Sequence, residues 1–454
     1  MAFAITGFNI GITVFGGWAT IFGLFSNILK DRYYLSEALL SFLAGAAFLP
    51  VAKWLNLEIY ENATENLNSF TLDFSRLVLG VQLVLAGIQL PAGYLRMELK
   101  SLAILLGPGM VGMWACSGIV MWTFIPGISF LQAAAIAACI TPTDPVLSTS
   151  IIKGRYADEN VPTELQQLII AESGANDGLG YPFLFIALYL IKYTAGGDNV
   201  DTGAGLQTAL RLFLGETCVY VVLLSALYGW CVGSTARRLL QWAKENSFVE
   251  RESFLVFALP MALFITGTCG MVGSDDVLAC FVAGNAFTLD DWFRLETLQD
   301  SLQPTVDMML NMSIFMWFGF ICPWEKLWSS DLMPWYSLAG LAIGIFSVRR
   351  LPVILGMHRH IRQIENAQQA LFMGYFGPIG VSAIFYLYVG LEFLETVRTG
   401  DEQRPAAKRL GESMTVVIWF LVACSIIIHG LTVPVVNICK HFLRPIDGRV
   451  ALPM

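Results

Sequence analysis

Charge is what this chain has least of. Only 14% of its 454 residues are Asp, Glu, Lys or Arg, against 56% that are hydrophobic, whereas a soluble domain carries about a quarter charged residues. A soluble globular protein is excluded. The formal net charge of -8 gives no reason to expect a nucleic-acid partner. Histidine is scarce as well: His358, His360, His429 and His441 show no metal-ligand spacing, although His358 and His360 sit where a pH sensor would be useful. The nine cysteines stand singly in apolar runs without any CxxC, so they read as packing residues and imply neither disulfide nor metal. No basic region precedes Phe8, so no cleavable signal peptide is expected. Ser/Pro-rich linkers and low-complexity blocks are missing too, which leaves a single membrane domain over 1–454 as the simplest organisation.

What the chain does have is long apolar runs. A helical crossing needs about 20 mostly apolar residues, and thirteen such segments fit between residues 8 and 438. The fold class expected is an all-α polytopic membrane protein of about thirteen transmembrane helices. Lys30, Arg32, Arg96, Lys100, Lys153, Arg155, Arg237, Arg238, Lys244, Arg251, Arg294, Arg359 and Arg362 then fall on one side. Lys53, Lys192, Lys326 and the stretch Arg398 to Arg409 fall on the other. Basic residues favour the cytoplasmic side, so the N-terminus is expected outside and the C-terminus inside. Asn62-Ala63-Thr64 is a glycosylation sequon in an outer connection.

Two stretches do not belong in apolar surroundings: Thr141-Pro142-Thr143-Asp144-Pro145 and Glu172-Ser173-Gly174-Ala175-Asn176-Asp177-Gly178. A buried carboxylate costs several kcal/mol unless paired, hydrated or used, so an acid inside a membrane span is a functional candidate by default. Pro142 and Pro145 each remove a backbone donor, so the helix is expected to open near Asp144 and line a cavity. In the second stretch Ser173 and Asp177 are spaced i,i+4 on one helix face, with Glu172 and Asn176 as a parallel pair. Oxygen groups on one face opposite a broken helix suit a dehydrated hard cation. The plainer readings are a capping Asp in a kinked helix and a polar network between helices.

A second break is expected at Gly377-Pro378-Ile379-Gly380. It lies seven spans after the first and therefore runs the opposite way, as in two inverted six-helix repeats with crossed discontinuous helices. The repeats would cover about 8–192 and 252–438, with a linking helix at about 206–240. Arg349 and Arg350 lie deep in a span, about 15 residues of 1.5 Å rise from its start, where they need an acid, free carbonyls or a route to the surface. Asp275 and Asp276 open a helix on the outer side; they are dipole-complementing acids or an outer vestibule for cations.

Together these motifs resemble the fungal plasma-membrane sodium/proton antiporters of the monovalent cation/proton antiporter superfamily. The resemblance rests on Phe22 to Ser26 and Leu35 to Ala38, Thr141 to Pro145, Glu172 to Gly178, Asp275 to Asn285, Arg349 to Pro352 and Phe376 to Tyr386. It implies that Asp177 carries either a cation or a proton, and that Na+ is held by Asp177, Asp144, Ser173 and Thr143. Asn176 would orient the site, with Glu172, Arg349, Arg350, Pro378 and Gly380 supporting it. Relatives with an Asp-Asp pair in place of Asn176-Asp177 move net charge, so electroneutral exchange of Na+ or Li+ for H+ is expected, with K+ as a third candidate. A homodimer in the plasma membrane is implied too, and no cofactor. In prokaryotic relatives an acid in the third span pairs with the core arginine, whereas residues 77–95 contain none here. A passive cation channel or an intramembrane aspartyl protease are the rival functions. No Gly-x-Gly-Asp run precedes Asp177 and no Gly-x-Ser-x-Gly elbow occurs, so a transporter is favoured over an enzyme.

Overall fold

A computed structural model describes residues 7–54, 64–145, 147–148, 161–194, 202–328, 333–399 and 402–442. The sequon at Asn62 and the basic pair Lys153 and Arg155 lie outside the described residues. Among those described, eight helices are long and apolar enough to cross a membrane. The other five of the thirteen expected segments are short or interrupted, and three of these five build the site.

In chain order the helices are α1 (Gly7–Asn27), α2 (Glu37–Trp54), α3 (Thr64–Gln89), α4 (Met110–Phe124), α5 (Phe130–Ile140), α6 (Thr163–Gly178), α7 (Gly180–Thr194), α8 (Thr202–Leu212) and α9 (Leu224–Glu245). There follow α10 (Ala258–Val272), α11 (Asp276–Phe287), α12 (Leu302–Ile321), α13 (Trp335–Val348), α14 (Leu351–Met357), α15 (Ala367–Tyr375), α16 (Val381–Glu395) and α17 (Pro405–Phe442). A π-helical stretch, Phe213–Leu223, joins α8 to α9, making one apolar rod over Ala204–Glu245. Among the described residues, the departure from all-α structure is a pair of two-residue antiparallel strands, Arg398–Thr399 and Glu402–Gln403.

Local sequence explains the interruptions. Ser129 and Gln132 form a reciprocal capping box that starts α5, and Pro142 and Pro145 prevent the helix from continuing past Thr141. The α6 helix ends at Gly178, where Leu179 N–H still reaches the Ala175 carbonyl, and α7 resumes with Pro182 in its first turn, where a missing donor costs nothing. Between α15 and α16, Phe376 to Gly380 is non-helical.

Close approach of helices depends on small residues where lipid leaves no hydrophobic drive for association. Gly45 on α2 and Gly319 on α12 face each other so tightly that a Cβ on either would overlap the opposing carbonyl, of Met316 or Phe42. Gly87 on α3 and Gly284 on α11 form a second such crossing; a Cβ on Gly87 would lie 2.8 Å from Asn285 N. Helix α11 also packs on α9, α4 on α5 and α13, α7 on α5, and α16 on α17 and α5. The ends of the bundle are tied by contacts between connections expected on the same side. At one end Lys53 pairs with Glu325 at 2.6 Å, and Arg404 and Arg409 donate to the carbonyls of Lys192 and Pro126. At the other, Arg362 binds Glu98, Arg237 binds Asp290 and Lys244 binds Glu296. The basic stretch Arg398 to Arg409 is thus spent partly on loop carbonyls.

Candidate ion-binding site

The two interruptions meet. Asp144 N–H donates to the Pro378 carbonyl at 3.1 Å, and the Asp144 carboxylate accepts from Leu147 N–H on one oxygen and from Val381 N–H on the other, both at 2.8 Å. Leu147 and Val381 stand at the starts of helical segments on opposite sides of the crossing, so one carboxylate satisfies orphan donors at both helix N-termini and faces their positive ends. Gly380 is required by this proximity, since a Cβ there would come within 2.6 Å of the Asp144 carboxyl carbon. The capping reading and the broken-helix reading therefore hold together.

The carbonyls left over by the breaks go to Arg349. Its guanidinium, 2% exposed, donates to the Ile140 and Gly377 carbonyls and, at 3.4 Å, to Pro142. Ile379 N–H, on the other strand of the crossing, is taken by Ser425 of α17 at 2.8 Å. Arg350 does something different. It forms a bidentate pair with Glu172, both bonds 2.7 Å, and donates Nε to the Met373 carbonyl. The acid missing from the third span is thus supplied by α6, and neither arginine reaches for the surface.

On α6, Asn176 accepts from Thr143 N–H at 3.1 Å and donates to Thr143 Oγ1 at 2.8 Å. Thr143 Oγ1 lies 3.1 Å from Ser173 Oγ. This network pins the non-helical strand of the first break to the α6 face. Asp177 stands apart from it. Its carboxylate is fully buried, yet neither oxygen has a hydrogen-bond partner; the Ser382 hydroxyl is beside it, short of a formed bond. Its backbone carbonyl, by contrast, accepts from the Tyr386 hydroxyl. An ionised carboxylate without countercharge is unstable in a medium of low dielectric.

Asp275 and Asp276 are buried and do not face an open vestibule. Asp275 caps α11 through Leu278 N–H at 3.0 Å, and Asp276 pairs with Arg76 of α3 at 2.6 Å. Arg76, Tyr386 and Ser425 escaped the sequence reading. An arginine within an apolar span was a usable signal for the first; the tyrosine and serine carry none on their own. Two aspartates sharing a water, as an aspartyl protease requires, are not formed, since both Asp144 oxygens are already held by backbone donors.

Interrupted helices crossing in a multi-span bundle beside a bare carboxylate define a membrane transporter rather than an enzyme. Residues 16–438 match the transmembrane sodium/hydrogen exchanger family, and the chain belongs to that family. It is 35% identical over 94% of its length to a probable Na(+)/H(+) antiporter of Schizosaccharomyces pombe and 32% identical over 95% to a Na(+)/H(+) antiporter of Saccharomyces cerevisiae. The chain spans about half the length of these curated relatives, 55% of the first and 44% of the second. Its fold is similar to that of a sodium proton antiporter from Methanocaldococcus jannaschii, with a TM-score of 0.63 at 16% identity, covering 94% of this chain and 100% of the other.

Proposed function

We propose that the protein exchanges Na+ or Li+, with K+ as the third candidate, for H+ by alternating access at Asp177, one cation for one proton. The observation that carries this reading is the pair of unsatisfied oxygens on a fully buried Asp177 beside two crossing broken helices. Proton and cation compete for the same carboxylate, and competition couples the two fluxes. Thr143, Ser173 and the Asp144 carboxylate across the break are the further oxygens a partly dehydrated ion would use. Asn176 holds Thr143 in place, Arg349 and Arg350 keep the crossing closed around the site, and Glu172 balances Arg350.

The thirteen-span architecture of two inverted repeats, about 8–192 and 252–438 around a linking helix at 206–240, is part of this proposal. Its support is the pattern of packing. Moving seven spans along the chain exchanges the α2–α12 pair with the α11–α3 pair, and both pairs cross through facing glycines. Rocking of the segments that carry the breaks against the remaining spans would then expose Asp177 to either side. An N-terminus outside is favoured by the placement of the basic residues, and location in the plasma membrane by the likeness to the yeast antiporters. A homodimer is favoured by two thinly covered elements, α1 and the rod, which are far less buried than α3. Proteoliposomes holding Asp177→Asn should show no cation-driven proton movement while keeping the elution profile of the wild type; retained exchange would sink the carrier assignment.

A further inference from the structure

The face that α9 and α10 turn to the bilayer is not flat. A groove of about 530 Å3 runs between them, lined by Tyr228, Val232, Ala236 and Leu239 on α9 and by Met261 and Phe264 on α10. On α9 these positions recur at helical spacing, and from Tyr228 to Leu239 the helix rises about 16 Å at 1.5 Å per residue. That length matches half of a hydrocarbon core about 30 Å thick. The groove also has a stop. At its Tyr228 end, Tyr228 and Thr268 share a hydrogen bond between their hydroxyls, which closes the gap between the two helices.

The other end is basic. Arg237, Lys244 and Arg251 are each taken by an acid, Asp290, Glu296 and Asp300 respectively. Arg238 is not: it is exposed, and among the described residues it has neither an ion pair nor a hydrogen bond. Positions 231, 235, 238 and 242 fall on one stripe of the helix, so Arg238 continues the edge on which Cys231 and Thr235 line the groove. Trp242, one turn further, is exposed and packs against the exposed Phe248, with ring centroids 5.5 Å apart. Tryptophan is enriched at the headgroup level of a bilayer. The exposed acids of this end, Glu245, Glu250 and Glu252, lie further along, at the end of α9 and in the connection to α10.

The structure assigns this groove to one acyl chain of an anionic phospholipid, with the head group on Arg238 and the glycerol region beside Trp242. A slot one leaflet long fits a lipid tail. A helix of a second copy is about 10–12 Å across with its side chains and runs through both leaflets, so it has no use for a groove that stops at the middle. Arginine holds a phosphate in a fork of two hydrogen bonds, and basic pockets between transmembrane helices bind anionic head groups. In the orientation proposed above, the Arg238 end lies in the cytoplasmic leaflet, where such lipids carry the surface charge. The assignment does not depend on which ion the protein exchanges.

The test places wild type, Arg238→Gln, Arg238→Lys and Ala236→Phe in nanodiscs of phosphatidylcholine mixed with phosphatidylserine. Native mass spectrometry then counts the lipids each chain keeps on release into mild detergent. Wild type should enrich phosphatidylserine about fivefold over its share of the disc, the weight of one basic residue at a membrane surface. Arg238→Gln should keep lipid without that preference, and Arg238→Lys should restore it. Ala236→Phe fills the groove and should lose the retained lipid; Leu239→Trp, at an exposed position, must do the same, which separates filling from misfolding. Equal selectivity in wild type and Arg238→Gln overturns the assignment, as does lipid retention untouched by both filling variants. A shift of either filling variant to a smaller assembly would give the groove to a second copy of the chain and overturn it as well.

Discussion

Replacing Glu172 by Gln tests whether the buried pair with Arg350 holds the site together. Gln is nearly isosteric and can still accept one hydrogen bond, but it withdraws the charge opposite a guanidinium that is only 3% exposed. Two bonds of 2.7 Å are affected, and hydrogen bonds to charged groups contribute about 1.5–3 kcal/mol each. Breaking a buried pair by removing one partner costs about 3–5 kcal/mol by a separate route, the penalty for an uncompensated charge. The two figures agree, so Glu172→Gln should lower the unfolding temperature in detergent by many degrees and reduce the folded yield. The double variant Glu172→Leu/Arg350→Met removes both charges together and should recover most of that loss, because apolar groups of similar volume replace buried pairs at little cost. Thermal unfolding of purified protein, followed by transport assays on whatever folds, gives the answer. Wild-type stability in Glu172→Gln, or a double variant no better than the single ones, would refute the argument.

Asn176→Asp places a second acid beside the carrier and removes the donor to Thr143 Oγ1; if the protein folds, exchange should become sensitive to membrane potential, and continued insensitivity would count against one-for-one coupling at Asp177. Gly380→Ala would drive a methyl group to within 2.6 Å of the carboxyl carbon of Asp144, a short, buried side chain held by two backbone N–H groups. The expected result is at least a tenfold loss of exchange, with destabilisation in the range of about 1–3 kcal/mol seen for overpacking; normal activity would show that the crossing is looser than drawn.

Composition alone made the membrane class legible, and the prolines at 142, 145 and 378 made both breaks legible, because a missing donor acts within its own turn. The partners of the charged groups were not. Arg350 finds Glu172 178 positions away, and the third span, which has no acid in residues 77–95, carries Arg76 just before them, paired with Asp276 200 positions away. Arg349 and Arg350 looked like one unit, yet at the bend between α13 and α14 they point in different directions: one collects carbonyls from both breaks and the other pairs with a carboxylate. Asp275 and Asp276 divide in the same way.

The two acids that first stood out end with opposite roles, and the difference bears on stoichiometry. Each Asp144 oxygen accepts a backbone N–H from a different helical segment, Val381 lying 237 positions away. Protonating that carboxyl would turn an acceptor into a donor facing an N–H, leaving one helix start uncapped in a buried crossing. A proton on Asp144 would thus loosen the contact that holds the two breaks together. Asp177 has no such duty, because neither of its oxygens supports any other group. A change of protonation at Asp177 disturbs neither a cap nor a pair, whereas one at Asp144 does. The proposed exchange of one proton per cation is therefore favoured by how the two carboxylates are bonded, more than by the identity of residue 176.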